Sequence, residues 1–227
     1  MTYSDIRARA RENLRGHWGV SVAAAFVAMI FGALLVNSGN SVELIERIGE
    51  HTDAPRITAL LSVLISAASA ISIAHLVLGG VVQLGYSKFL LAQHDGGEYQ
   101  VKDLFSQFDR FSVGFLQMLL RNLFVALWSL LLIVPGIIKS YSYAMTPFIL
   151  ADHPELTANQ AIRRSMELMD GHKGELFILG LTFLGWDILN VFTLGIGSFW
   201  LNPYMNAAYG AFYRELTAKQ RETYVEL

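Results

Sequence analysis

The chain has 227 residues, 53% of them apolar and 16% charged, with a formal net charge of −2. Soluble domains carry about 25% charged residues, so this composition and a mean hydropathy of +0.41 point to a membrane protein. The near-neutral charge speaks against bulk nucleic-acid binding, and the absence of cysteine excludes disulfides and thiolate chemistry.

In chain order, residues 3–16 form a polar helix with Arg7, Arg9, Arg11 and Arg15. The apolar run Val20–Val36 that follows exceeds a signal-peptide core and has no small-x-small site after it. It is read as part of a retained first span, Trp18–Asn37. A membrane helix needs about 20 apolar residues. The next candidates are Ile57–Tyr86, Phe111–Val134, Ile137–Ala151, Glu175–Leu194 and Phe199–Tyr213. Pro135-Gly136 separates spans three and four, and Gly195 and Gly197 separate spans five and six.

Six spans place both termini on one side. On that side fall thirteen of the seventeen lysines and arginines, against Arg47, Arg56 and Lys139 opposite and Arg121 within a span. Positive charge accumulates in cytoplasmic segments, so both termini are expected in the cytoplasm. The acidic loop Ser38–Arg56 is expected outside. The predicted fold class is an all-α membrane protein, a six-span helical bundle built as three hairpins, each preceded by a cytoplasmic amphipathic helix.

A repeat supports that division. Arg9-Ala-Arg-Glu-Asn-Leu-Arg-Gly-His-Trp-Gly19 matches Arg164-Ser-Met-Glu-Leu-Met-Asp-Gly-His-Lys-Gly174 at five of eleven positions. Asp103–Phe111 holds the corresponding place before span three with a weaker match. Parallel repeats of this kind occur in transporters and also arise by simple duplication. The helix 157–170 carries a capping box, Thr157 with Gln160, and a glycine at its end, Gly171. Its apolar stripe is Ala158, Ala161, Ile162, Met166 and Met169. Arg163 and Arg164 lie off the stripe, either holding anionic lipid headgroups or flanking a helix packed on the bundle's cytoplasmic face.

Two further segments are distinctive: Leu127-Trp-Ser-Leu-Leu-Leu-Ile-Val-Pro-Gly-Ile-Ile-Lys-Ser-Tyr-Ser-Tyr143, and Ile149-Leu-Ala-Asp-His-Pro-Glu-Leu-Thr157. With Ala161-Ile-Arg-Arg-Ser165, Asn202-Pro-Tyr204 and Ala211-Phe-Tyr-Arg-Glu-Leu216, the chain resembles an uncharacterised bacterial membrane-protein family, number 975 of the domain-of-unknown-function series. The resemblance is strongest over Leu127–Leu216. It implies an integral membrane protein of the bacterial inner membrane and carries no catalytic residues.

Arg121 in span three and Asp187 in span five are the candidate intramembrane polar pair, since charge at such depth faces a bundle interior or an aqueous cavity. Asn122, Asn190, Gln83 and His75 are further polar residues within spans. The six histidines show no metal spacing, and no Gly-x-Ser-x-Gly is present. Gly79-Gly80 reads as close helix packing. No cofactor, metal site or enzymatic activity is expected. The functional expectation is a non-enzymatic membrane-organising or partner-assisting protein, with membrane lipid and either a second copy or another membrane protein as partner. Small-solute or ion transport through Arg121 and Asp187 is the alternative.

Overall fold

The computed structural model describes residues 3–30, 75, 77–193 and 195–225. The end of expected span one, the acidic loop Ser38–Arg56 and most of expected span two lie outside the described residues. Among the described residues every regular element is helical: α1 (Tyr3–Leu14), α2 (Trp18–Ile30), α3 (77–94), two 3-10 turns (Val101–Phe105 and Phe108–Arg110), α4 (Phe111–Leu131), α5 (Ile133–Ser142), α6 (Thr146–Asp152), α7 (Ala158–Leu168), α8 (Lys173–Leu181), α9 (Leu184–Phe192) and α10 (Ser198–Val225).

The two matching stretches fold alike. Arg164 lies 155 positions after Arg9, and the same offset carries Tyr3 to Ala158 and Trp18 to Lys173, which are the starts of α7 and α8. Ile6, Ala10 and Leu14 are buried on α1, and their counterparts Ala161, Ser165 and Met169 are buried too. After the turn, Ser21, Ala24 and Ala28 are buried on α2 as Leu176, Leu179 and Phe183 are in the second copy. Both turns use a left-handed glycine, Gly16 at φ 82° and Gly171 at φ 76°, a conformation that a side chain disfavours. The stretch before α4 departs from the pattern. Its 3-10 turns replace the expected amphipathic helix, held by Gln100 N–H donating to Asp103 Oδ2 at 2.7 Å.

α7 begins as its sequence predicts. Thr157 N–H donates to Gln160 Oε1 at 2.9 Å, and Gln160 N–H donates back to Thr157 Oγ1 at 3.4 Å. α7 packs across α4 and α6, while α1 lies along α10. Ser165 Oγ donates to the Ser142 carbonyl at 2.8 Å and fixes α7 against the end of α5.

Four boundaries differ from expectation. α4 stops at Leu131, and the turn is Leu132, extended at φ −161° and ψ 141°. Pro135 then sits in the first turn of α5, where no intrahelical N–H is needed. Gly136 does the work of close approach, because a Cβ there would come within 2.8 Å of Ser129 Cα. The segment 137–151 is divided between α5 and α6, and 175–194 between α8 and α9. The helix at 199–213 continues to Val225 with Pro203 in its first turns. Only Val101–Leu131 and Lys173–Phe192 are long and apolar enough to cross a membrane among the described residues, with Trp18–Met29 as a shorter apolar helix.

The interior contact between α3 and α4 depends on Gly80 and Gly114. A Cβ on Gly114 would lie 2.7 Å from Val81 Cα, and one on Gly80 would strike the Gly114 carbonyl. Gly114→Leu is expected to destabilise the bundle by about 1–3 kcal/mol through overpacking. Gly185→Ala, whose Cβ meets nothing within 4 Å, is expected to leave stability equal or higher. Thermal midpoints of the two purified variants in detergent check both.

Candidate functional site at the charged end of the bundle

Arg214 lies two thirds of the way along α10, where the chain turns from apolar to charged. Its Nη1 donates to Asp152 Oδ2 at 2.8 Å, its Nε donates to Asp95 Oδ1 at 3.0 Å, and its Nη2 reaches Asp95 Oδ2. Tyr213 Oη also donates to Asp152 Oδ2, at 3.1 Å. Asp95 follows α3 and Asp152 ends α6, so one guanidinium ties the ends of two helices to the side of α10. A planar fork with five N–H donors fits two carboxylates where an ammonium would not. Burial works against the Arg214 charge, but the hydrogen bonds it donates to Asp95 and Asp152 outweigh that and raise the pKa above the usual arginine value.

His94 stands beside this node. Asn13 Nδ2 donates to His94 Nδ1 at 3.0 Å, tying α1 to the end of α3, and an accepting Nδ1 carries no proton. Burial lowers the His94 pKa, Asp95 opposes that, and Arg214 and Arg9 add to it.

Arg163 and Arg164, the candidate lipid-headgroup contacts, are both exposed on α7. They share a cleft of about 430 Å³ with Gln160 and Glu167 of α7 and with Gln220 and Arg221 of α10. Three guanidinium groups against one carboxylate make the cleft basic, and arginine forks suit a phosphate or carboxylate ligand. The sequence placed Arg163 and Arg164 here but not Arg221, which a helix ending at 213 would have left in a loose tail.

The structure does not bring Arg121 and Asp187 together. Arg121 is half-buried on α4, Asp187 is exposed on α9, and neither enters an ion pair among the described residues. The interior polar contact is between two glutamines: Gln117 Nε2 donates to Gln83 Oε1 at 3.3 Å, with both side chains buried. Gln117 Oε1 and Ser87 Oγ are buried without a partner among the described residues. Gln93 Nε2 donates to Ser21 Oγ at 2.7 Å, joining α3 to α2. Gln117 is the residue sequence reasoning missed. Its signal was position, since it lies one turn from Gly114 on the face of α4 that touches α3.

Among the described residues no three histidine, aspartate or glutamate side chains converge as metal ligands. The charged end gathers arginine N–H donors in forks of the kind that suit phosphate or carboxylate.

Residues 130–220 match the family model described as "Protein of unknown function (DUF975)". The matched segment contains Asp152, Arg163, Arg164 and Arg214. No curated protein and no solved structure matches the chain.

Removing the node's cation is expected to cost stability. Arg214→Gln leaves two carboxylates uncompensated and lowers stability by about 2 kcal/mol. Asp152→Asn costs more than Asp95→Asn, because Asp152 is 21% exposed and Asp95 47%; denaturation in detergent checks the order. The His94 effect has a definite sign. Its folded-state pKa lies below the ordinary value of about 6.5, so the unfolded chain takes the proton first. Stability is full above pH 6.5 and declines as pH falls from there toward the folded-state value. His94→Gln is expected to flatten that decline in a series of melting curves from pH 7.5 to 5.

Proposed function

We propose that this chain, which belongs through residues 130–220 to the DUF975 family, is a multi-span protein of a bacterial inner membrane with both termini cytoplasmic. On this reading it organises or assists a partner at the cytoplasmic face without catalysing a reaction. The single observation behind the membrane reading is the outward face of the helices. Leu119, Leu123, Leu127 and Leu130 of α4 are exposed, as are Ile133, Val134, Ile137 and Ile138 of α5. Leu181, Leu184, Ile188 and Val191 of α8 and α9 continue the band, and Phe192 is 80% exposed. Each such side chain left in water forgoes about 1.5–3 kcal/mol of burial, and contiguous apolar surface of this kind marks contact with lipid or protein.

The division of surface follows the same axis. The apolar band covers the outside of the hairpins, while the Arg214 node and the Arg163, Arg164 and Arg221 cleft gather at one end. A basic end beside an apolar band suits the anionic cytoplasmic leaflet. The cleft is the feature proposed to meet lipid headgroups or an acidic segment of a partner. The second hairpin, α4 returning through α5–α6, is retained as crossing fully. α1 and Gly197 line one groove, so α8–α9 and the apolar first half of α10 are proposed as a re-entrant arm whose turn lies on the side of α1 rather than as two further full crossings.

Transport is the second reading, favoured by one observation: Arg121 is half-buried in α4 without an ion pair among the described residues. In that case Arg121→Ala and Asp187→Ala abolish solute flux while the protein accumulates normally. Under the membrane reading the protein stays in the pellet after alkaline carbonate extraction. A single cysteine placed at Ser140 then reacts with an impermeant thiol reagent added outside intact cells, and one at Gly197, which shares a groove with α1, does not. Release by carbonate refutes the membrane reading, silence at Ser140 refutes the second hairpin as a full crossing, and labelling at Gly197 refutes the re-entrant arm.

A further inference from the structure

Away from the charged node, α1 stands beside the turn between α9 and α10 and leaves a groove of about 470 Å³. That volume lies in the range of small-molecule sites. One wall is the stripe Trp186, Leu189 and Thr193 of α9; the other is Trp200, Leu201 and Tyr204 of α10. Three- and four-residue spacings, from Trp186 to Leu189 to Thr193 and from both Trp200 and Leu201 to Tyr204, keep each set on one side of its helix. Trp18 of α2 closes the groove beside α1, so three of the chain's four tryptophans line it.

Two arginines from α1, Arg7 and Arg11, complete the lining. They are four residues apart and share a helix face. Arg7 is held in place: its Nε donates to Tyr204 Oη at 3.3 Å, and its guanidinium lies 5.2 Å from the Phe183 ring centroid. That leaves its terminal N–H groups for a ligand. Arg11 is exposed, and neither arginine has a carboxylate partner among the described residues.

We propose that this groove binds one anionic phospholipid, its acyl chain lying along the α9 and α10 stripes and its phosphate held by Arg7 and Arg11. An apolar slot alone would take any hydrocarbon, and two arginines alone would take any anion. Their juxtaposition selects a molecule with both parts. The assignment rests on the membrane reading above, since the bilayer is what supplies such a lipid. It is separate from the Arg163 and Arg164 cleft, which lies against the far end of α10.

Tryptophan quenching tests it. The full chain carrying Trp128→Phe, so that emission comes from the three groove tryptophans, is reconstituted in phosphatidylcholine vesicles. Brominated phosphatidylglycerol or brominated phosphatidylcholine is then titrated in. The expected result is half-quenching by the anionic lipid at a mole fraction lower by about fivefold or more. Arg7→Gln with Arg11→Gln brings the two lipids to parity, and Arg163→Gln with Arg164→Gln does not. Arg11→Gln alone, at an exposed position, narrows the difference and serves if the double variant fails to fold. Equal quenching by both lipids in the parent, or selectivity that survives loss of both arginines, overturns the site while leaving the membrane reading intact. No quenching by either lipid overturns the membrane reading itself. A brominated fatty acid that displaces phosphatidylglycerol at lower mole fraction overturns the phospholipid assignment in favour of a free carboxylate.

Discussion

One guanidinium holds the charged end of this molecule together. Helices packed through alanine and glycine have shallow side-chain interlock, and their ends are free to splay. Arg214 prevents that by sharing its fork between Asp95 and Asp152, with Tyr213 adding a second donor to Asp152. The two helix ends and the helix α10 so joined come from distant parts of the chain. Once they are fixed, α1 can lie along α10, and Asn13 can reach His94.

The two copies of the helix-turn-helix stretch show how far sequence similarity extends into packing. Five identities in eleven are spent on the turn and on surface charge, namely Arg9 and Arg164, Glu12 and Glu167, and the Gly-His-x-Gly. The buried positions differ in chemistry, as Ile6 against Ala161 or Ala28 against Phe183, yet coincide in register. The left-handed glycine sets the angle between the helices, and the 3.6-residue period then decides which positions face inward. The partners differ, α10 for α1 and α4 with α6 for α7, so the identities of the buried residues are free to vary.

Function follows from a separation of surfaces. The outward faces of α4, α5, α8 and α9 are apolar, and the ion pairs and arginines collect at the charged end and along α1. The proposed role is anion recognition by arginine forks, at the cleft of α7 and α10 and in the groove beside α1. The second combines that recognition with an apolar slot.

Periodicity and local chemistry made much of the fold legible. The helical class, the capping box of Thr157 and Gln160 and the glycine turns at 16 and 171 depend on residues within a few positions of each other, whereas Gly79-Gly80 signalled close packing without naming its partner, Gly114. The break before Pro135 was legible only approximately. Proline restricts where a turn falls, but Leu132 takes the extended conformation because Gly136 must sit against Ser129 when the hairpin closes. The site was less legible than the fold. Arg163 and Arg164 were visible as charges off an apolar stripe, whereas Arg214, Asp95 and Asp152 are separated by up to 119 residues and each looks like an ordinary polar residue at a helix end. Arg121 and Asp187 stood out because charge in an apolar run is conspicuous, yet their helices do not place them in contact. The sequence by itself determined which segments are helical and which faces are apolar, because those are properties of local spacing. Only the tertiary structure decided which charges meet, because that depends on how helices from opposite ends of the chain are laid side by side.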